Sequence, residues 1–88
     1  MSPDQKKCLL ALYDLHLENG WKDYYHFAPI EADTTLPRNV VRRCMRAFKS
    51  AGLAEFSHGL TRMDGKLAGS GYRLTDAGFA LVEKEMRS

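Results

Sequence analysis

The first amphipathic segment of the chain begins at the sequence Ser2-Pro3-Asp4-Gln5. Ser2 can cap a helix, Pro3 suits its first turn, and Gln5 stands at the spacing of a capping box. Apolar residues then recur at helical spacing until Gly20, a typical end signal, and predict a helix that ends at residue 18 or 19. Its apolar positions form two stripes: Cys8, Ala11, Leu12 and Leu15 with Leu9 beside them, and Leu10, Tyr13 and Leu17.

Two apolar stripes are more than packing against one neighbour requires. Either this helix is sandwiched inside the domain, or its second stripe is an oligomer contact. The stripe formed by Leu10, Tyr13 and Leu17 is therefore our preferred candidate for a homodimer interface, and the C-terminal helix is the other.

Residues 37–51 give the clearest helical pattern, with Pro37 at the start and Gly52 after the end. One arc of this helix is apolar, and the opposite arc is polar and basic. The apolar arc holds Val41, Cys44, Met45, Ala47 and Phe48, with Val40 at its margin. The basic arc holds Arg38, Asn39, Arg42, Arg43 and Arg46, with Lys49 and Ser50 at its end.

The remaining pattern predicts short elements. An extended segment at residues 24–27, a brief helix at 29–32 and a turn at 34–36 precede the basic helix. A strand at 53–56, a two-residue turn at Asp64-Gly65 and a partner strand at 72–74 follow it. Thr75 caps a last helix at about 76–87, with Phe79, Val82 and Met86 as its apolar stripe. Residues 1–88 thus form one mostly α, α+β domain.

Charge is concentrated in one short block. Residues 1–33 carry three Lys/Arg and six Asp/Glu, whereas residues 34–54 carry five Lys/Arg and no acid. Surface helices usually mix both signs, because like charges at i,i+4 repel each other, as Arg38, Arg42 and Arg46 would. The planar fork of arginine can grip a phosphate or guanine, and Asn39 could pair with adenine or help local capping. The block therefore predicts a polyanion-binding helix.

The chain offers little for other chemistries. Its composition, 44% hydrophobic and 27% charged, is that of an ordinary soluble domain, and no apolar run approaches the length of a membrane span. Cys8 and Cys44 lack metal-ligand spacing and fall on predicted core faces, although a disulfide between them stays open. His16, His26 and His58 are predicted to be surface or partly buried residues. We expect a reduced, cytoplasmic, non-enzymatic protein without cofactor or metal.

From Ile30 onward the sequence resembles the helix-turn-helix region of bacterial winged-helix regulators. The shared positions are Ile30, Leu36, Val41, Met45, Phe48 and Gly52-Leu53. Residues 72–78 are similar to the "Y-x-L-T-x-x-G" exit from the wing of such proteins. The resemblance covers about residues 27–80 and implies a winged helix-turn-helix fold, with a three-helix core, a β-hairpin wing and a C-terminal helix.

The resemblance also implies roles. Residues 30–33 would form the support helix, and residues 37–51 would be a recognition helix in the major groove of double-stranded DNA. Arg38, Asn39, Arg42 and Arg43 match positions that face bases or phosphates. Two features depart from the family: Pro37 replaces a capping Ser/Thr, and Thr34-Thr35 replaces a turn glycine. Thr35 and Arg46 complete the candidate DNA contacts on this unit.

The segment 57–71 would be the wing, with Arg62 and Lys66 flanking its tip. They could reach the backbone or a minor groove, or the segment could be a solvated turn. The aromatic residues between 21 and 27 could stack on bases, but packing beside the first helix is favoured. We expect a small, sequence-specific transcriptional regulator of bacterial or prophage type. The alternative is a winged helix that docks its basic face on an acidic protein without binding DNA.

Overall fold

A computed structural model describes residues 1–20, 24–61 and 67–86, and describes side chains for 1–20, 24–57 and 71–86. Four helices and one hairpin follow in the order α1 (Pro3–Asn19), α2 (Phe27–Thr34), α3 (Arg38–Ser50), β1 (Ala54–Thr61), β2 (Leu67–Leu74) and α4 (Asp76–Glu85). The predicted order of elements is confirmed. The tip predicted at Asp64-Gly65 lies outside the described residues.

Helix α1 begins at the predicted capping box. The Gln5 backbone N–H donates to Ser2 Oγ at 3.2 Å, and the Ser2 N–H donates to Gln5 Oε1 at 3.0 Å. These two bonds satisfy groups that a helix start leaves without partners, so the first turn is fixed by local sequence.

Helix α1 is sandwiched, which is one of the two alternatives that its apolar stripes left open. It packs on α2 and α3 and also contacts α4 and β2. Tyr13, in the second stripe, is buried against Phe79 with ring centroids 5.7 Å apart, and its hydroxyl donates to Glu83 at 3.4 Å. Leu17 stays half-exposed. The three-residue interface predicted from this stripe is therefore not a continuous exposed surface.

Helix α2 is longer than predicted and begins at Phe27 instead of near Pro29. Pro29 is its third residue, a first-turn position where the backbone N–H has no intrahelical partner to lose. Of the extended segment predicted at 24–27, only Tyr25 pairs, by two backbone hydrogen bonds of 2.8 and 2.9 Å with Tyr72.

The turn between α2 and α3 depends on the two threonines that replace a glycine. Thr34 is buried, its hydroxyl donates to the Ile30 carbonyl at 2.7 Å, and it accepts from the Leu36 N–H at 3.3 Å. Thr35 takes the left-handed conformation, with φ +59°. Pro37 is the N-cap of α3, with extended backbone and no side-chain cap bond.

The hairpin is antiparallel, and Phe56 pairs with Tyr72 and Ala54 with Leu74. Its base is tied to α4, because the Thr75 N–H donates to the Leu53 carbonyl at 3.1 Å and Thr75 Oγ1 accepts from the Gly78 N–H at 3.2 Å. Gly78 closes the "Y-x-L-T-x-x-G" segment. A Cβ at this position would overlap the Leu53 carbonyl oxygen, which explains the glycine.

The core lies where α1, α3, the base of the hairpin and α4 meet. Its fully buried members include Leu9 and Leu12 of α1, Met45 and Phe48 of α3, and Val82 of α4. The cysteines are both buried and free, so the disulfide left open by the sequence is not formed. Burial raises the pKa of the Cys8 thiol to about 12, and also raises that of Cys44.

The histidine prediction is wrong for His16, which is 1% exposed. Its Nδ1 lies 2.9 Å from the Gly20 carbonyl, and its Nε2 accepts a 3.1 Å hydrogen bond from the Leu74 N–H. His16 thereby joins the end of α1 to the base of β2. His26 is exposed, as predicted, and the side chain of His58 lies outside the described residues.

Candidate nucleic-acid interface

The two faces of α3 separate as the sequence predicts. Four side chains of its apolar arc are buried: Val41, Cys44, Met45 and Phe48. The opposite arc is exposed and includes Arg38, Asn39, Arg42, Arg43 and Arg46, followed by Lys49. Because the buried arc fixes the rotation of the helix, the five predicted polar side chains share one outward face. We call this set of six residues the basic face.

The basic face carries its charge without acids of its own. No Asp or Glu lies between residues 34 and 54, and α3 has no acid in its first turn. Four residues advance a helix by about 6 Å, so Arg38, Arg42 and Arg46 form a row of cations one turn apart. Such a row repels itself, and a bound polyanion would relieve that repulsion.

Arg38 is the one member of the basic face that forms an ion pair within the described part of the chain. Its Nε and Nη2 both donate to Glu31 Oε2 of α2, at 3.0 and 2.9 Å. The Arg38 side chain is 56% exposed and that of Glu31 25% exposed. The sequence did not reveal this pairing.

Two further cations of the basic face rest on aromatic rings. The Arg42 guanidinium carbon lies 6.0 Å from the centroid of the Phe27 ring, and Lys49 Nζ lies 5.5 Å from that of Phe56. Phe27 and Phe56 each contact Tyr72, with centroids 5.8 and 4.9 Å apart. A row of three rings thus runs from α2 across the hairpin, beneath cations at both ends.

Arg43 and Arg46 differ from these neighbours. Both are exposed, and no ion pair or ring contact engages either one among the residues whose side chains are described. With Asn39 and Arg42 they line a shallow depression on the outer surface of α3. Their guanidinium groups are therefore available to an external anion.

The other predicted site residues divide into two groups. Thr35 is exposed in the turn beside the basic face, but its hydroxyl donates to the Thr34 carbonyl at 2.6 Å. Arg62 and Lys66, predicted at the wing tip, lie outside the described residues. That any of the predicted residues contacts DNA stays a prediction.

The described base of the hairpin adds no free cation. Arg73 Nη2 donates to Glu55 at 2.6 Å, and its guanidinium carbon lies 4.9 Å from the centroid of the Tyr24 ring. The bond to Glu55 raises the pKa of Arg73. The aromatic residues at 24, 25 and 27 pack within the chain, the outcome favoured over base stacking.

A cleft of about 480 Å³ lies next to the basic face. Phe27 and Pro29 from the start of α2, Arg38 and Arg42 from α3, and Tyr72 from β2 contribute to its walls. In the described ranges, no three His, Cys, Asp or Glu side chains converge as a metal site would require. No described helix combines the length and apolar character needed to cross a membrane.

Solved structures similar to this chain share its fold. A Ralstonia eutropha JMP134 protein provisionally assigned as DNA-binding aligns at 28% identity and a TM-score of 0.75, over 98% of both chains. Bordetella bronchiseptica BpsR, whose DNA binding is regulated by 6-hydroxynicotinic acid, aligns at 22% identity and a TM-score of 0.74. A point mutant of S. aureus MepR aligns at 18% identity and a TM-score of 0.72.

The chain is covered over 99% in the BpsR comparison and over 96% in the MepR comparison, but it spans only 58% and 55% of those longer chains. No protein-family model and no curated protein matches the sequence. The four helices and hairpin, together with these similarities, confirm the predicted α+β winged helix-turn-helix fold. In that fold α2 and α3 are the helix-turn-helix pair, and α3 is its second helix.

Proposed function

We propose that this protein is a sequence-specific transcriptional regulator that places α3 in the major groove of double-stranded DNA. The observation that carries the proposal is the exposed, acid-free basic face on the second helix of a helix-turn-helix pair. A 13-residue helix is about 20 Å long and about 10–12 Å wide with its side chains, and the major groove is about 12 Å wide. DNA-binding regulators among the similar structures support this choice over an enzyme.

The roles within the face follow from exposure. Arg43 and Arg46, which have no partner among the described side chains, are proposed to bind phosphates or guanine edges, and Asn39 an adenine edge. Arg42 and Thr35 complete the contacts at the start of the helix. We also propose that the hairpin lies along the flanking backbone or minor groove, with Arg62 and Lys66 at its tip.

The test replaces Arg43 and Arg46 by alanine and measures duplex affinity over a range of salt concentrations. Each lost phosphate contact lowers the slope of log K against log salt by about 0.9, so the double variant should lose a slope of about 2. At 0.1 M salt this corresponds to roughly 50-fold weaker binding. The matched control is Lys6→Ala with Lys7→Ala, which removes two exposed charges from α1.

The outcomes separate the proposed function from its alternative. Equal slopes for both double variants would remove α3 from DNA binding. Failure of the unmodified protein to bind any duplex, combined with retention of an acidic protein, would favour the protein-docking function instead. A smaller slope for the α3 variant alone supports the proposal.

A homodimer is the proposed assembly, because one winged module buries only about 600–1,000 Å² on DNA and two half-sites would bind more tightly. Leu17, which is 50% exposed on α1, is the proposed contact, beside the half-buried Leu10. Leu17→Asp should lower the sedimentation-derived mass without changing the far-UV circular dichroism spectrum. We propose a cytoplasmic location and a bacterial or prophage origin on the family resemblance alone.

A further inference from the structure

The strongest unexplained feature of the basic face is the pairing of its first arginine with an acid from the other helix of the pair. Arg38 is the first residue of α3, and Glu31 lies on α2 seven positions earlier. We propose that Glu31 is a specificity-determining residue, which holds Arg38 as a reader of base edges and keeps it from acting as a phosphate contact. This inference rests on the proposed function and deepens it.

The geometry of the pair leaves one edge of the guanidinium group open. Glu31 Oε2 accepts from Nε and Nη2, which together form the side edge of the fork. The end edge, formed by Nη1 and the second N–H of Nη2, keeps its donors. Two parallel N–H groups are what the O6 and N7 acceptors of a guanine require in the major groove. Arg38 therefore retains a bidentate fork while it is paired.

The charge of the pair points to the same role. Phosphate attracts a cation mainly through net charge, without regard to sequence, whereas a base edge is read by directed hydrogen bonds. The Glu31 carboxylate cancels the charge of Arg38 locally and would also repel a nearby phosphate. Arg43 and Arg46 carry no such counter-charge among the described residues. The basic face is thus divided into charge-compensated and uncompensated arginines.

Glu31 also has a local structural use that the test must separate. Helix α3 has no side-chain cap and no acid in its first turn, so a carboxylate next to its N-terminus is favourable for the helix dipole. An exposed ion pair adds about 0–1 kcal/mol to stability. Stability alone therefore does not report on specificity, but the salt slope and the discrimination between duplexes do.

The experiment compares Glu31→Gln with the unmodified protein on two duplexes. One is the duplex enriched from a random library by the unmodified protein, and the other is an unrelated duplex of equal length. Freeing Arg38 for one phosphate contact should steepen the salt slope by about 0.9 and tighten unrelated-duplex binding roughly eightfold at 0.1 M salt. Binding to the enriched duplex should gain less, so discrimination falls.

The matched control is Asp33→Asn, which removes the same charge from an exposed position of the same helix. Asp33 is expected to change the slope by less than about 0.3, because its charge does not compensate an arginine of the basic face. Arg38→Gln supplies the second arm. It should weaken binding to the enriched duplex roughly tenfold or more and leave the slope nearly unchanged, unlike loss of Arg43 and Arg46.

The double variant Glu31→Gln with Arg38→Gln decides whether Glu31 acts through Arg38. In that background the steeper slope should disappear. The inference is overturned if Glu31→Gln changes slope and discrimination no more than Asp33→Asn, or if its effect persists without Arg38. If the unmodified protein enriches no duplex at all, the proposed function has failed before Glu31 is tested.

Discussion

His16 offers the sharpest test of how the hairpin is held to the helical core. The ring is buried between Tyr25 and Phe79, with centroids 5.0 and 5.7 Å away. Because Nε2 accepts from the Leu74 N–H, the proton of the neutral ring is on Nδ1, which donates to the Gly20 carbonyl. The predicted perturbation is His16→Phe, which keeps an aromatic ring and removes both nitrogens.

The magnitude follows from the groups left behind. Phenylalanine leaves the buried Leu74 N–H without its acceptor, which costs about 1–3 kcal/mol. His16→Ala removes the ring as well, so the loss should reach roughly 3–5 kcal/mol, as for other large buried rings. Domains of this length have a free energy of unfolding of about 4–13 kcal/mol, so either change is a substantial fraction of the total.

The assay is urea denaturation followed by far-UV circular dichroism. His26→Ala is the control, because His26 is exposed and makes no side-chain cap bond to α2. Its free energy of unfolding should change by no more than about 0.5 kcal/mol. The reasoning is refuted if His16→Phe is as stable as the unmodified protein, since the Leu74 hydrogen bond would then contribute nothing.

Two further stability predictions concern Gly78 and Cys8. Gly78→Ala should lower the free energy of unfolding by about 1–3 kcal/mol, because its Cβ would overlap the Leu53 carbonyl and lie 2.9 Å from a Leu74 methyl group; Ala77→Ser, at an exposed position of the same helix, is the control for thermal melts, and equal melting temperatures would contradict the packing argument. The pKa of Cys8 rises from 9.0 to about 12 in the folded chain, so the unfolded chain loses this proton first as pH rises. Stability should therefore be unaffected by this thiol below pH 9 and fall between pH 9 and 12 by up to about 1.4 kcal/mol per pH unit. Urea titrations at about pH 8 and about pH 10 should show a smaller drop for Cys8→Ala, and an equal drop would remove this thiol from the alkaline sensitivity.

The sequence predicted the elements whose cause is local. The capping box at Ser2 and Gln5 needs only residues three apart, and the faces of α3 follow from a helical period that its buried side obeys. Even the wing exit is explained locally, because Thr75 caps α4 and Gly78 admits a backbone carbonyl. The predicted start of α2 is wrong because a proline fits any position of the first turn, and here it stands third.

His16 was missed although a signal was present. It stands three and four residues after Tyr13 and Leu12, both of which are buried, so helical spacing extended the core stripe to it. Reading polar residues only as surface residues hid this. What no spacing could reveal is its partner, because Leu74 is 58 positions away and meets His16 only after the hairpin has folded onto α1.

The division within the basic face belongs to the same class of information. A helical wheel gives Arg38, Arg42 and Arg46 equal standing, since it considers one helix at a time. The structure distinguishes them through α2: Glu31 compensates Arg38, Phe27 lies beneath Arg42, and Arg46 has no partner among the described residues. These contacts depend on the angle at which the turn through Thr34 and Thr35 sets the two helices. A turn that repositioned α2 would leave the composition of α3 intact and still change which arginines carry uncompensated charge to DNA.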